Sequence, residues 1–139
     1  MKIERKMPTP EQFEAIYRSV GWDAPGLEQI RVALNHSLQG FMIFDDGKPI
    51  GMARLLGDYA MAYLIKDVAV LPEYQHRGAG TLLMQEMLKY IKEQLPVGWA
   101  VGVELTSSPQ GEAFYRKFGF QICPNDVDGH GMFMMLAVE

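Results

Sequence analysis

Residues 67–84 read DVAVLPEYQHRGAGTLLM. A β-branched, apolar run stops at Pro72. Then Gln75-x-x-Gly78-x-Gly80 leads into an amphipathic stretch that continues through residue 94. The spacing predicts a strand, a short polar loop and a long helix, with glycines where the helix begins. Four N–H groups at a helix start lack partners within the helix. The helix dipole adds partial positive charge there, and glycine lets a ligand approach the backbone. Arg77 and His76 can add charge nearby. The stretch suits an anion such as a pyrophosphate.

Two familiar phosphate loops do not fit the letters. A dinucleotide fingerprint needs a third glycine or an alanine where this chain has Leu83, and no Gly-Lys-Ser/Thr triplet occurs.

Outward from the loop, the chain reads as a mixed α/β domain. Residues 2–6 suggest a short strand. Thr9 or Pro10 opens a helix carrying Phe13, Ile16, Tyr17 and Val20 on one face, closed by Gly21. A second helix follows Pro25. Apolar runs at 40–45 and 49–57 flank Asp46-Gly47, a hairpin signal. A third strand covers 61–72, and the helix after the loop covers 79–94, burying Leu83, Met84, Met87, Leu88, Ile91 and Leu95. Further strands are expected at 99–105, 119–123 and 131–138, with a short helix from Pro109 ending at Gly119. Antiparallel hairpins beside a βαβ unit predict a mixed, mostly antiparallel sheet of about six or seven strands with helices on both faces.

The 139 residues are expected to form one domain, 1–139. A net charge of −4 argues against a nucleic-acid partner, and no apolar run approaches a membrane span. Cys123 is the only cysteine, so no internal disulfide is expected. The N-terminus lacks a signal-peptide core, and the expected compartment is the cytoplasm. His36, His76 and His130 lack metal-ligand spacing, so no metal is expected. No G-x-S-x-G elbow is present, which disfavours a serine hydrolase.

Two stretches together, residues 67–84 and AFYRKFGF at 113–120, resemble the GCN5-related N-acetyltransferase family. Its signature is Gln/Arg-x-x-Gly-x-Gly/Ala between a strand and a long helix. Gly-Met-Ala-Arg at 51–54, Asp67-Val68 and Gly131-Met132-Phe133 are similar to the plastid serotonin and lysine acetyltransferases and their bacterial relatives.

The resemblance implies a transferase that moves an acetyl group from acetyl-CoA to a primary amine by direct attack. The acceptor would be a small amine such as an arylalkylamine, or a lysine side chain. Val68, Ala69 and Val70 would present backbone groups to the pantetheine arm. Gln75, His76, Arg77, Gly78, Ala79, Gly80 and Thr81 would surround the pyrophosphate, His76 through its backbone. Tyr115 would give a proton to the leaving thiolate, beside Phe114. Ser108 stands where many relatives have Asn, and Gly111 where many have Ala. Asp67, directly or through water, would take the amine's proton; Glu104 is the other candidate. Trp22 and Asp23 fall where the acceptor side is commonly covered. Members often dimerise through late strands, and the apolar FMMLAV at 133–138 permits a homodimer. The alternative from another class is a non-catalytic acyl-CoA sensor or partner subunit on the same fold.

Overall fold

The computed structural model describes residues 1–138. The chain divides into two compact units, one through Leu105 and the other from Thr106.

The first unit is built on a sheet ordered β1 (Lys2–Glu4), β2 (Gln39–Asp45), β3 (Lys48–Gly57), β4 (Ala62–Val70) and β5 (Gly102–Glu104). The first four strands are antiparallel neighbours, and β5 joins β4 in parallel. Asp46 and Gly47 both take positive φ, 48° and 80°, as a tight hairpin turn requires.

Helix α1 (Pro10–Ser19) starts in a capping box: Thr9 Oγ accepts from the Gln12 N–H, and the Gln12 side chain accepts from the Thr9 N–H. Its apolar stripe and that of α2 (Leu27–Asn35) cover one sheet face. Phe13, Ile16, Ile30 and Leu34 pack there with Met52 and Ala69. Helix α3 (Ala79–Gln94) covers the other face with Ala79, Leu83, Met84, Met87, Tyr90 and Ile91. Burying each large side chain of this kind contributes roughly 1.5–3 kcal/mol. Arg5 ties the end of β1 to α3, reaching Glu86 and Glu93 at 2.7 Å each and stacking over Tyr90.

Gly40 marks a close crossing. A Cβ there would run into the Met7 backbone and the Lys6 carbonyl. Gly40→Ala is therefore expected to lower stability by about 1–3 kcal/mol, read as a fall in the midpoint of thermal unfolding.

The second unit holds one short helix, α4 (Glu112–Arg116), among its described residues. Phe114 meets Tyr115 and Phe118 at ring-centroid distances of 5.1 and 5.3 Å, and Tyr115 meets Phe120 at 6.2 Å. Gly119 (φ 98°) closes the helix, its N–H donating to the Arg116 carbonyl.

The strand count differs from expectation: five strands are present among the described residues, against six or seven. The expected strands at 119–123 and 131–138 are not formed. Both runs have strand-like composition, but a strand exists only when a neighbour completes its ladder. Met132 to Leu136 and Val138 are largely solvent-exposed. Strand β5 is also shorter than 99–105, because its pairing with β4 covers only residues 102–104.

Candidate active site

The site grows from an opening in the sheet. Strand β5 pairs with Ala62, Tyr63 and Leu64 and then stops, while β4 continues to Val70. Ile65, Lys66, Ala69 and Val70 remain paired with β3 on one side. On the β5 side they have no strand partner among the described residues. An extended ligand with amide groups can pair with such an edge as an added strand does.

A bulge shapes this edge. The register passes from Met52↔Ala69 to Arg54↔Lys66, so β4 carries one residue more than β3. Asp67 lies in the bulge with a φ of 56°. A left-handed residue carrying a Cβ costs roughly 1–2 kcal/mol. The extra residue also shifts the alternation. Tyr63 meets Tyr59, whose hydroxyl lies 3.0 Å from that of Tyr90 on α3, whereas Ala69 packs under α1 and α2. Two odd-numbered residues thus face opposite sides of the sheet.

Asp67 is one half of an ion pair. Arg54 Nε donates to its Oδ2 at 2.5 Å, and the two side chains are only 15% and 10% exposed. Arg54 Nη1 also donates to Ser37 Oγ at 3.2 Å. Oδ2 is therefore engaged, and a base role for Asp67 would fall to Oδ1. Burial, and then the charge of Asp67, raise the pKa of the Tyr17 phenol, with Arg54 opposing them. Tyr17 in turn stacks on Phe13 and meets Trp22 edge-on at 5.0 Å, an aromatic wall beside the pair. Trp22 and Asp23 are exposed at the end of that wall, and Glu104 is exposed at the end of β5.

Past Val70 the chain turns into the glycine loop. Gln75 Nε2 donates to the Val70 carbonyl at 3.0 Å and braces the loop against the strand it left. Val70 therefore offers its carbonyl first to Gln75. His76 and Gly78 both have left-handed backbone, φ 62° and 87°. Turns of this kind gather backbone N–H groups into an anion-binding concavity. Gly78 is the N-cap of α3, and the first helical bond runs from the Leu82 N–H to the Gly78 carbonyl at 3.1 Å. The N–H groups of Ala79, Gly80 and Thr81 stay free of helical partners. A Cβ on Gly78 would meet nothing within 4 Å, so the approach is open. Arg77 lies over the Tyr74 ring at 5.4 Å, and Lys48 approaches the same ring at 5.4 Å. Two cations therefore flank Tyr74 beside the loop. An open strand edge leading into a concentration of N–H donors suits a ligand with an amide-bearing arm and a diphosphate.

The second unit brings together Tyr115, Ser107, Ser108 and Gly111. A Cβ at Gly111 would lie 3.0 Å from Ser107 Oγ, 3.1 Å from Ser108 Oγ and 3.3 Å from Tyr115 Cε2. Glycine thus lets two hydroxyls and the edge of the Tyr115 ring share one small space. Burial raises the pKa of Tyr115, so its phenol keeps its proton beyond the ordinary tyrosine range. Ser108 is exposed, and its carbonyl accepts from Ser107 Oγ at 2.5 Å.

Other groups take structural parts. Asp58 Oδ1 accepts the N–H groups of Ala60, Met61 and Ala62, bonds that hold its carboxyl below the usual range. No metal-ligand cluster occurs among the described residues, and none of their helices is long and apolar enough to cross a membrane. A surface concavity of about 560 Å³ at the β1 edge, lined by residues including Lys2, Lys6, Phe44 and Asp46, contains none of the groups above. Arg54, quoted above within Gly-Met-Ala-Arg, and Tyr74, Lys48 and Ser107 had no site role in the sequence reading. Tyr74 lies inside the glycine-loop stretch, and its neighbour Arg77 was the available signal.

Comparison with known proteins agrees with this geometry. Residues 37–122 match the acetyltransferase (GNAT) domain family. The GCN5-related N-acetyltransferase 1, chloroplastic, of Arabidopsis thaliana is 30% identical over 86% of this chain and 59% of its own length. An uncharacterized N-acetyltransferase, ycf52, of Porphyra purpurea is 28% identical over 85% of this chain and 68% of its own. The chain thus spans about three fifths to two thirds of the length of these curated relatives. A solved structure from meticillin-resistant Staphylococcus aureus, of a protein of unknown function, superimposes with a TM-score of 0.85 at 31% identity, covering 97% of this chain and 98% of that one. A GNAT-family acetyltransferase of Streptococcus pneumoniae does so with 0.78 at 31% identity, covering 97% of each. The strand edge open beyond Leu64 among the described residues, the glycine loop on α3 and these matches lead to one conclusion: the chain belongs to the GCN5-related N-acetyltransferase family.

Proposed function

We propose that the protein transfers an acetyl group from acetyl-CoA to a primary amine by direct attack. The reading rests above all on the β4 edge, free beyond Leu64, leading straight into the donor-rich start of α3. Val68 and Ala69, with Val70, would hold the pantetheine arm through their backbone. His76 to Thr81 would hold the pyrophosphate, with Arg77 adding charge and Gln75 bracing the turn. When bound, acetyl-CoA supplies an activated acetyl thioester.

The residues of the chain then have three tasks. A base must leave the amine neutral; Asp67 Oδ1, directly or through water, is assigned that part. The Tyr115 phenol donates a proton to the departing thiolate, as a protonated group within the working pH range does. The Tyr17–Trp22 wall offers ring faces to an arylalkylamine or to a lysine stem and its cation. In this reading both compact units act as one catalytic domain, the acyl group is acetyl, and no metal takes part. A reducing compartment such as the cytoplasm suits the single, exposed Cys123. Self-association through 133–138 belongs to the same reading, since that exposed apolar run is surface for a second copy.

A panel of tryptamine, serotonin, spermidine and a lysine peptide, each with acetyl-CoA, tests it. The expected result is free thiol and N-acetylated product in equal amounts, with turnover greatest for an arylalkylamine or the lysine peptide. Acetyl-CoA binding without thiol release on any amine would replace this reading with that of an acyl-CoA sensor.

A further inference from the structure

The β4 bulge sets the form of the strand edge, and its left-handed residue is not a glycine. Asp67 has a φ of 56°, and the bulge separates Ala69, opposite Met52, from Lys66, opposite Arg54. A side chain with a Cβ resists that backbone by roughly 1–2 kcal/mol, less for Asp than for most residues, and a contact that fixes the side chain offsets the cost. Arg54 provides the contact. It stands on β3, one strand in from the edge, and grips Asp67 Oδ2 through Nε at 2.5 Å. Its Nη1 donates to Ser37 Oγ, and that hydroxyl donates to the Ala33 carbonyl at 2.8 Å near the end of α2. The chain of bonds runs from α2, through Arg54, to the bulge. Both members of the ion pair are mostly buried, so solvent screens the contact little.

Building on the acetyl-CoA reading above, we infer that Arg54 is a positioning residue, one that holds Asp67 in its left-handed conformation and so fixes the backbone of residues 68–70 for the co-substrate's arm. Arg54 acts through Asp67 and needs no contact with the ligand. A purely electrostatic role would depend on the charges. A backbone role depends on the conformation at position 67, and glycine adopts that conformation without help.

The test is the affinity of the full chain for coenzyme A, measured by titration calorimetry beside thermal unfolding. Arg54→Met is expected to weaken binding about tenfold or more. The double variant Arg54→Met/Asp67→Gly is expected to return to within about threefold of the parent, because glycine holds the bulge unaided. Arg54→Met/Asp67→Ala is expected to stay weak. Should Arg54→Met alone fail to fold, the two double variants carry no unpaired charge and make the same comparison. Unchanged affinity in Arg54→Met, or equal affinity in the glycine and alanine double variants, would overturn the inference. A parent chain that does not bind coenzyme A would overturn the acetyl-CoA reading itself, and the positioning role with it.

Discussion

Gly80→Glu is expected to abolish the thermal stabilisation that acetyl-CoA gives the parent protein. A ligand at about a hundred times its dissociation constant adds about 2.7 kcal/mol to the stability of the state that binds it. For a chain of this size that is a rise of roughly 10 °C in the unfolding midpoint. Gly80 lies in the first turn of α3, two residues past the Gly78 N-cap. A carboxylate there would occupy the space proposed for the pyrophosphate and repel it. The fold itself should tolerate the change. Gly80 is not among the glycines with positive φ, and an acidic side chain in the first turn favours the helix dipole. The unliganded midpoint should therefore hold or rise slightly while the ligand-dependent shift disappears. A variant that keeps the full shift would place the pyrophosphate elsewhere.

The second large effect belongs to Tyr115. Tyr115→Phe removes one hydroxyl and keeps the ring that packs on Phe114 and Phe120. Loss of a general acid lowers turnover by about 10²-fold or more. The drop should appear in kcat, with acetyl-CoA affinity and the KM for the amine nearly unchanged, because in the proposed mechanism the hydroxyl acts only in the transition state. Burial raises the pKa of this phenol. A general acid works only while protonated, so the alkaline fall in kcat that reports it must lie above the ordinary tyrosine value of about 10. That limb should vanish in Tyr115→Phe. A variant with more than half the parental kcat would remove Tyr115 from the chemistry.

The heart of the fold was legible because its signals are local. Pro72 stops a β-branched run, glycines follow, and the apolar stripe of 79–94 repeats at helical spacing; the helix spans Ala79–Gln94 as expected. The Asp46-Gly47 turn and the Thr9 cap were readable for the same reason. What escaped the sequence depends on partners far along the chain. The bulge at Asp67 leaves no mark in AYLIKDVAV, because a register shift is a relation between two strands. Arg54 lies 13 residues from Asp67, and only pairing of β3 with β4 brings them together. The strand-like runs at 119–123 and 131–138 show the converse. Composition makes a strand permissible, but a ladder of backbone bonds makes it one. Of the candidate site, the glycine loop could be placed from its letters, whereas the engagement of Asp67 Oδ2 by Arg54 needed coordinates.

The most direct test of the account is backbone amide exchange of the full chain with and without acetyl-CoA. Slowed exchange is expected in two segments, residues 66–70 on the edge of β4 beyond its pairing with β5 and residues 76–82 at the start of α3. Protection confined to other segments, or none at saturating acetyl-CoA, would contradict it.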